Sequence, residues 1–168
     1  MDALELLEQQ HREVDRLFAR VEGARKSEQG AIFELIAEAL RKHSFLEEEI
    51  FYPGVRRAQT EDLVGDALED HETIERLLQD IEETGVVHQS FFTKLTALRE
   101  YVQDHVKDEE QELFPRVREL LSEDELRTMG SDMQASSEEW EEEDHAETEQ
   151  VEPQPQTSQE PQLDDPRG

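Results

Sequence analysis

Four histidines, His11, His43, His71 and His105, divide the first 130 residues into nearly equal parts. Two of them open the same phrase. His43-Ser44-Phe45-Leu46-Glu47 is echoed by His105-Val106-Lys107-Asp108-Glu109, and a proline follows each histidine by ten positions, at Pro53 and Pro115. Four residues make about one helical turn, so on a helix each histidine shares a face with its glutamate. Imidazole and carboxylate together suit iron, manganese or zinc. The chain has no cysteine, which removes disulfides, thiolate zinc sites and iron–sulfur clusters from consideration. Two carboxylates can bridge two ions, and four imidazoles then supply two nitrogens to each.

These residues need elements to carry them. The first 130 residues read as helix throughout. A first helix runs from about Ala3 to Arg25 on the stripe Leu4, Leu7, Val14, Leu17, Phe18 and Val21. A second, capped at Ser27, carries Ile32, Ile36, Leu40, Leu46 and Ile50, and Pro53 and Gly54 weaken its end. A third runs from a cap at Thr60 to a stop at Gly85, and a fourth from Ser90 to near Pro115. Ser122 and Glu125 form a capping-box pair for a short fifth helix ending by Gly130. The expected fold is all-α: an antiparallel up-down-up-down four-helix bundle with a short fifth helix.

The turns fall where the histidines need them. Residues at one height on two antiparallel helices lie equally far from the turn between them. The midpoints between successive histidines are positions 27, 57 and 88, all at expected turns. The four imidazoles therefore belong to one layer. His11, His43, His71 and His105 also fall on the apolar stripes, with Glu47 and Glu109 in phase. A lone histidine in such a place is usually a hydrogen-bonded core residue. Two inward glutamates are different, because an unpartnered buried carboxylate is costly. Metal cations remove that cost. His88 lies outside the layer and reads as surface. The phrase at His11 recurs sixty positions later at His71, and that at His43 recurs sixty-two later, so the domain reads as two related helical hairpins.

The rest of the composition bounds the partners. The formal net charge of −28 opposes nucleic acid and anionic membrane surfaces. No stretch is long and apolar enough to span a bilayer, and no apolar signal segment is seen, so a soluble cytoplasmic protein is expected. From Ser131 onward there are 13 acidic residues, one basic residue and four prolines. Residues 131–168 are expected as a disordered acidic tail, a solubilising appendage or a protein-binding segment using Trp140, beside a domain at 1–130.

The ordered set is similar to the hemerythrin-like, or HHE, cation-binding family over roughly residues 1–120. The resemblance rests on His11, on His43 and Glu47 followed by Phe51-Tyr52-Pro53, on His71-Glu72, and on His105 and Glu109 followed by Leu113-Phe114-Pro115. It implies a non-haem di-iron centre inside a four-helix bundle. His11, His43, His71 and His105 would be terminal ligands, and Glu47 and Glu109 bridging carboxylates. Oxygen-carrying hemerythrins have a further histidine where this chain has Glu75, and their second bridging acid lies five residues after the fourth-helix histidine, where this chain has Glu110. The pattern is closer to bacterial proteins with four histidines and two glutamates, linked to iron–sulfur repair and to oxygen or nitric oxide stress. Two readings of Glu75, and of Asp15 at the equivalent place after His11, stay open: an extra oxygen ligand to the iron or, slightly favoured, an exposed acid paired with a neighbouring basic residue, Arg76 in the case of Glu75.

The expected function is a di-iron protein that binds a small ligand (dioxygen, peroxide or nitric oxide) in stress sensing or protection. The expected cofactor is two iron ions, with manganese or zinc as alternatives. Val14, Phe18, Ile50, Val102 and Leu113 are the expected apolar lining, with Phe45 and Phe51 outside it, and Tyr52 and Tyr101 as ordinary packing. Two other readings stay open: an enzyme turning over peroxide or nitric oxide or donating iron for cluster repair, and a metal buffer or interaction bundle.

Overall fold

Asp2 and Glu5 start the first helix by exchanging hydrogen bonds, each amide donating to the other side chain at 2.9 Å. In the computed structural model, which describes residues 1–149, helix α1 then spans Ala3–Glu22 and α2 spans Lys26–Leu46. The cap of α2 is Arg25, two residues before the expected Ser27. A short α3 (Tyr52–Val55) precedes α4 (Glu61–Thr84), which follows Thr60 and ends at Gly85, the one residue with positive φ (86°) among those described. Helix α5 (Phe91–Asp108) follows Ser90, α6 spans Phe114–Leu120, and α7 spans Glu123–Glu149. Among the described residues there is no strand, and no helix is long and apolar enough to cross a membrane.

Two widened turns join these helices at equivalent places. Glu47–Phe51 and Glu109–Leu113 are π-helical, with the Tyr52 amide bonded to the Glu47 carbonyl and the Phe114 amide to the Glu109 carbonyl. Proline accounts for both. Pro53 and Pro115 offer no N–H, and their rings crowd the carbonyl four residues earlier, so the ladder widens just ahead of them. Each π turn holds one extra residue and shifts the phase of the residues after it. Simple helical spacing from His43 and Glu47 points Ile50 inward, yet Phe51 is fully buried and Ile50 only partly so.

The helices pack α1 on α2 and α4 on α5, with α7 against α1, α2 and the first π turn. Buried apolar side chains form two clusters. One gathers Leu4, Leu7, Phe51, Val64, Phe114 and Met133, and the other gathers Phe18, Ile36, Leu78, Ile81, Leu95 and Leu98. Each fully buried side chain of this size contributes about 1.5–3 kcal/mol. The six polar residues picked out by the sequence belong to neither cluster.

The C-terminal segment departs from expectation. The fifth helix does not stop at Gly130, and the acidic stretch expected to be disordered from residue 131 is helical through Glu149. The reason is spacing rather than composition. Leu126, Met133 and Trp140 recur every seven residues and form one stripe on an otherwise acidic helix. Leu126 and Met133 are buried, and Trp140 packs on Phe45 with ring centroids 5.0 Å apart. Ser122 and Glu125 do form the expected cap, the Ser122 amide donating to Glu125 Oε2 at 2.8 Å. The remainder of the expected tail, residues 150–168, lies outside the described residues.

Gly130 is a contact, not a stop. A Cβ there would lie 2.6 Å from the Met1 carbonyl oxygen and 2.9 Å from the Ala3 nitrogen, both backbone atoms that cannot rotate away. Gly130→Ala is therefore expected to lift α7 from the start of α1, at a cost of about 1–3 kcal/mol. Thermal melts should show a lower midpoint, and Trp140, the single tryptophan, should emit at longer wavelength. Unchanged melting and emission would show that α7 does not dock through this glycine.

Candidate metal centre

The four helices deliver one histidine each: His11 from α1, His43 from α2, His71 from α4 and His105 from α5. Glu47 and Glu109 open the two π turns. All six are buried, the carboxylates most completely, with Glu47 0% and Glu109 2% exposed. Glu47 Oε2 lies 3.2 Å from His43 Nε2 and 3.0 Å from His71 Nε2. Glu109 Oε2 lies 3.3 Å from His11 Nε2 and 3.7 Å from His105 Nε2. Potential ligand atoms of His11, His43, Glu47 and Glu109 fall within 4.8 Å of one another, as do those of Glu47, His71 and His105. Glu47 is common to both groups, and Glu109 belongs to the first alone.

Outer acceptors fix which nitrogen faces inward. His11 Nδ1 bonds Glu110 at 2.8 Å, His43 Nδ1 bonds the Gln10 carbonyl oxygen at 2.8 Å, His71 Nδ1 bonds Glu48 at 2.8 Å, and His105 Nδ1 bonds Asp70 at 3.2 Å. A carboxylate or amide oxygen accepts, so each Nδ1 is the donor and each Nε2 faces the centre, where it offers a lone pair whenever the ring is neutral. Such partners orient metal-binding imidazoles and raise their basicity. Sequence reasoning missed this shell, although each member is the chain neighbour of one of the six. Its signal was adjacency: the residue beside one ligand candidate serves another.

The two hairpins repeat this pattern. Gln10 serves His43 as Asp70 serves His105, and Glu110 serves His11 as Glu48 serves His71. The ring pairs match closely, His11–His43 at 4.8 Å and His71–His105 at 4.9 Å between centroids, both inclined at 64°. Tyr52 and Phe114 break the symmetry. The Tyr52 hydroxyl donates to Glu109 Oε1 at 2.6 Å, with Glu47 Oε2 at 3.1 Å and His71 Nε2 at 3.2 Å, while Phe114 stacks parallel to His11. Tyr52, expected as ordinary packing, stands inside the centre because the π turn ahead of it shifts its phase. Tyr101 lies outside and donates to Asp70.

Even so the centre is short of positive partners. Glu47 Oε1, Glu109 Oε2 and His105 Nε2 are buried with no hydrogen bond. Burial opposes protonation of His11, but Glu109 and Glu110 outweigh it and hold the imidazole up to about 9. Burial likewise opposes charge on His71, and Glu47 and Glu48 raise it to about 10. Burial keeps His43 below its ordinary value, so it stays neutral and accepts from His11 Nε2 at 3.2 Å. Burial, reinforced by Glu47 and Glu109, pushes the Tyr52 hydroxyl well up, so it remains a donor. Without a metal, protons on His11 and His71 balance the two carboxylates. Cations fit the same place, and a set of imidazole and carboxylate donors with orphaned atoms suits them.

A small apolar void adjoins the imidazoles. Val14, Leu40, Ile74 and Val102, one each from α1, α2, α4 and α5, surround about 10 Å³ beside His11, His43, His71 and His105. That is about one water-sized sphere. Of the expected lining, Val14 and Val102 are here, Leu40 and Ile74 were missed, and Phe18, Ile50 and Leu113 lie elsewhere. Asp15 is an exposed acid and Glu75 a half-buried one; both are in ion pairs, but their partners are Arg99 and Arg41, not adjacent residues. His88 is exposed and bonds Ser90.

Known proteins resemble this chain in family and in fold. The family model of the hemerythrin HHE cation binding domain matches residues 2–117. A DNA nickase from a Nostoc strain is 26% identical over 137 residues, 81% of this chain and 39% of that protein. The chain thus spans well under half of that relative. The crystal structure of a hemerythrin HHE cation binding domain-containing protein from Mycobacterium kansasii superposes with a TM-score of 0.80 at 19% identity, covering 90% of this chain and 94% of that one, a likeness of fold.

The charged imidazoles make the metal-free chain sensitive to alkali. A raised histidine stabilises fully below its unfolded value, near 6.5, and the gain is lost as pH rises through the folded values of about 9 for His11 and about 10 for His71. Melting of the chain in chelator should fall by roughly 10 °C or more between pH 7 and 10. A flat profile would show that these imidazoles carry no proton.

Proposed function

The chain belongs to the hemerythrin HHE cation-binding domain family, and on that premise we propose that it is a non-haem di-iron protein that binds a small ligand. In this reading His11, His43, His71 and His105 are terminal ligands and Glu47 and Glu109 bridge. Manganese or zinc suits the same donors. The long helices α1, α2, α4 and α5 act as an antiparallel up-down-up-down bundle that holds the ligands at one height. The observation that carries the proposal is the donor set itself: four Nε2 atoms turned inward by four outer acceptors, around two buried carboxylates with orphaned oxygens.

When bound, a ferrous pair supplies the electrons with which dioxygen, peroxide or nitric oxide is held or reduced. The chain's own residues supply the rest. Val14, Leu40, Ile74 and Val102 give the void apolar walls and limit what lodges beside the imidazoles to a molecule of a few atoms. The Tyr52 hydroxyl holds a proton at Glu109 Oε1. Gln10, Glu48, Asp70 and Glu110 keep the imidazoles in the binding tautomer. We place the protein in the cytoplasm, in protection against oxygen or nitrosative stress. Tyr52 favours a second reading, turnover of peroxide or nitric oxide, because it puts a donor O–H between both carboxylates. Sustained peroxide consumption distinguishes the enzyme; a colour change reversed by removing oxygen distinguishes the binder. We do not extend DNA nicking to this chain, since a net charge of −28 repels a phosphate backbone.

Purification under nitrogen, with metal analysis and absorption spectra before and after air, should give two irons per chain and a new band on oxidation. His43→Ala and Glu109→Ala should each lose at least one iron; two irons retained in both would overturn the ligand assignment. Leu40→Phe should fill the void, keep both irons and weaken azide binding on the order of tenfold or more, since overpacking costs about 1–3 kcal/mol. Unchanged azide affinity would remove the void from the binding site.

A further inference from the structure

Two clefts lead from the surface toward the centre, and the hairpin repeat relates them. The first, about 320 Å³, reaches His11 past Val14, Val102, Val106 and Lys107. The second, about 270 Å³, reaches His71 past Ile74, Leu40, Ser44 and Phe45. The correspondence runs residue by residue, with Glu110 bonded to His11 in one and Glu48 bonded to His71 in the other. Their walls differ in kind. Where the first has Gln103, the second has Arg41, whose guanidinium is locked to Glu75 at 2.9 Å and to Glu82 at 2.8 Å. Where the first has the flexible Lys107, the second has Phe45, and Trp140 of α7 lies against that ring. Among the described residues, α7 lends no side chain to the first cleft.

We infer that Trp140 determines the side from which small molecules reach the centre: it restricts the cleft at His71 and leaves the cleft at His11 as the working approach. The inference rests on the small-ligand reading above and adds the route and the residue that selects it. The argument is steric and electrostatic. A half-buried indole on Phe45, held by an α7 that is itself anchored through Met133 and Gly130, is a fixed wall. Lys107 and Gln103 are unbranched side chains against which α7 places nothing, and Gln103 makes a long bond to Asp15, at 3.4 Å. Lys42 adds a strap to the closed side, its Nζ 2.8 Å from Glu141 on α7. The acidic helix thus has a use at the centre that its charge alone does not disclose.

The test compares the two histidines in the metal-free full-length chain by deuterium exchange at the imidazole C2 position, which proceeds from the protonated ring and needs access to solvent, with peptide mass spectrometry to locate the label. Trp140→Ala should speed labelling of His71 several-fold and leave His11 unchanged, whereas Trp140→Phe, which keeps a ring on Phe45, should preserve the wild-type rate. An unchanged His71 rate in Trp140→Ala, or an equal rise at both histidines, overturns the inference. In the iron-loaded protein, Val106→Trp, which fills the first cleft, should slow azide association several-fold, and adding Trp140→Ala should restore it. An unaffected rate in Val106→Trp overturns the assigned route. Labelling needs no iron, so a chain that retained none would overturn the proposed function without touching the labelling result.

Discussion

Two carboxylates buried from solvent dictate most of this molecule. Glu47 and Glu109 sit between two apolar clusters, where a bare negative charge is costly, and the surrounding structure exists to supply them with positive partners. Four imidazoles converge on them, each turned by an outer acceptor so that the useful nitrogen faces in. The same layer interrupts the core. It gives up hydrophobic contact at mid-height, and cations or protons must compensate. Cation binding and folding are accordingly linked, because the unfolded chain offers no such preformed cage.

The prolines have a part in this that is easy to overlook. Each follows its glutamate by six positions and forces a π turn that begins at the glutamate itself. The turn lets two adjacent residues play different parts: Glu47 points to the centre while Glu48 reaches His71 from outside, and Glu109 and Glu110 do the same around His11. A regular helix would continue the phase set by His43 and send Ile50 inward. The widened turn brings Phe51 and Tyr52 inside instead, packing one beneath the centre and placing the other's hydroxyl in it.

The six inner residues and the positions of the turns were legible because they follow periods that a sequence displays directly: four residues for a helical face, and equal distances about each turn. What depended on a broken period was hidden. Phe51 and Tyr52 were misplaced because the π turn inserts one residue into the count. Leu40 and Ile74 were on the predicted stripes, but which stripe residues meet at one height depends on side-chain packing. The outer acceptors were visible only as acids next to ligands, in a chain where acids are everywhere. In α7, average composition concealed three apolar residues seven apart, and Gly130 resembled a terminator because a glycine used for close approach and one used to end a helix look the same in a sequence.

The crossing pattern of the outer bonds has a bearing on how such a molecule is organised. Glu48 of the first hairpin holds a histidine of the second, and Glu110 of the second holds a histidine of the first. Reciprocal contact of this kind is the signature of an isologous dimer, here joined in one polypeptide. Identical subunits must keep both halves of such an interface the same. Linkage in a single chain lifts that restriction, and each half is free to specialise. Gln10 against Asp70, Tyr52 against Phe114 and Phe45 against Lys107 are among the places where the halves of this protein differ.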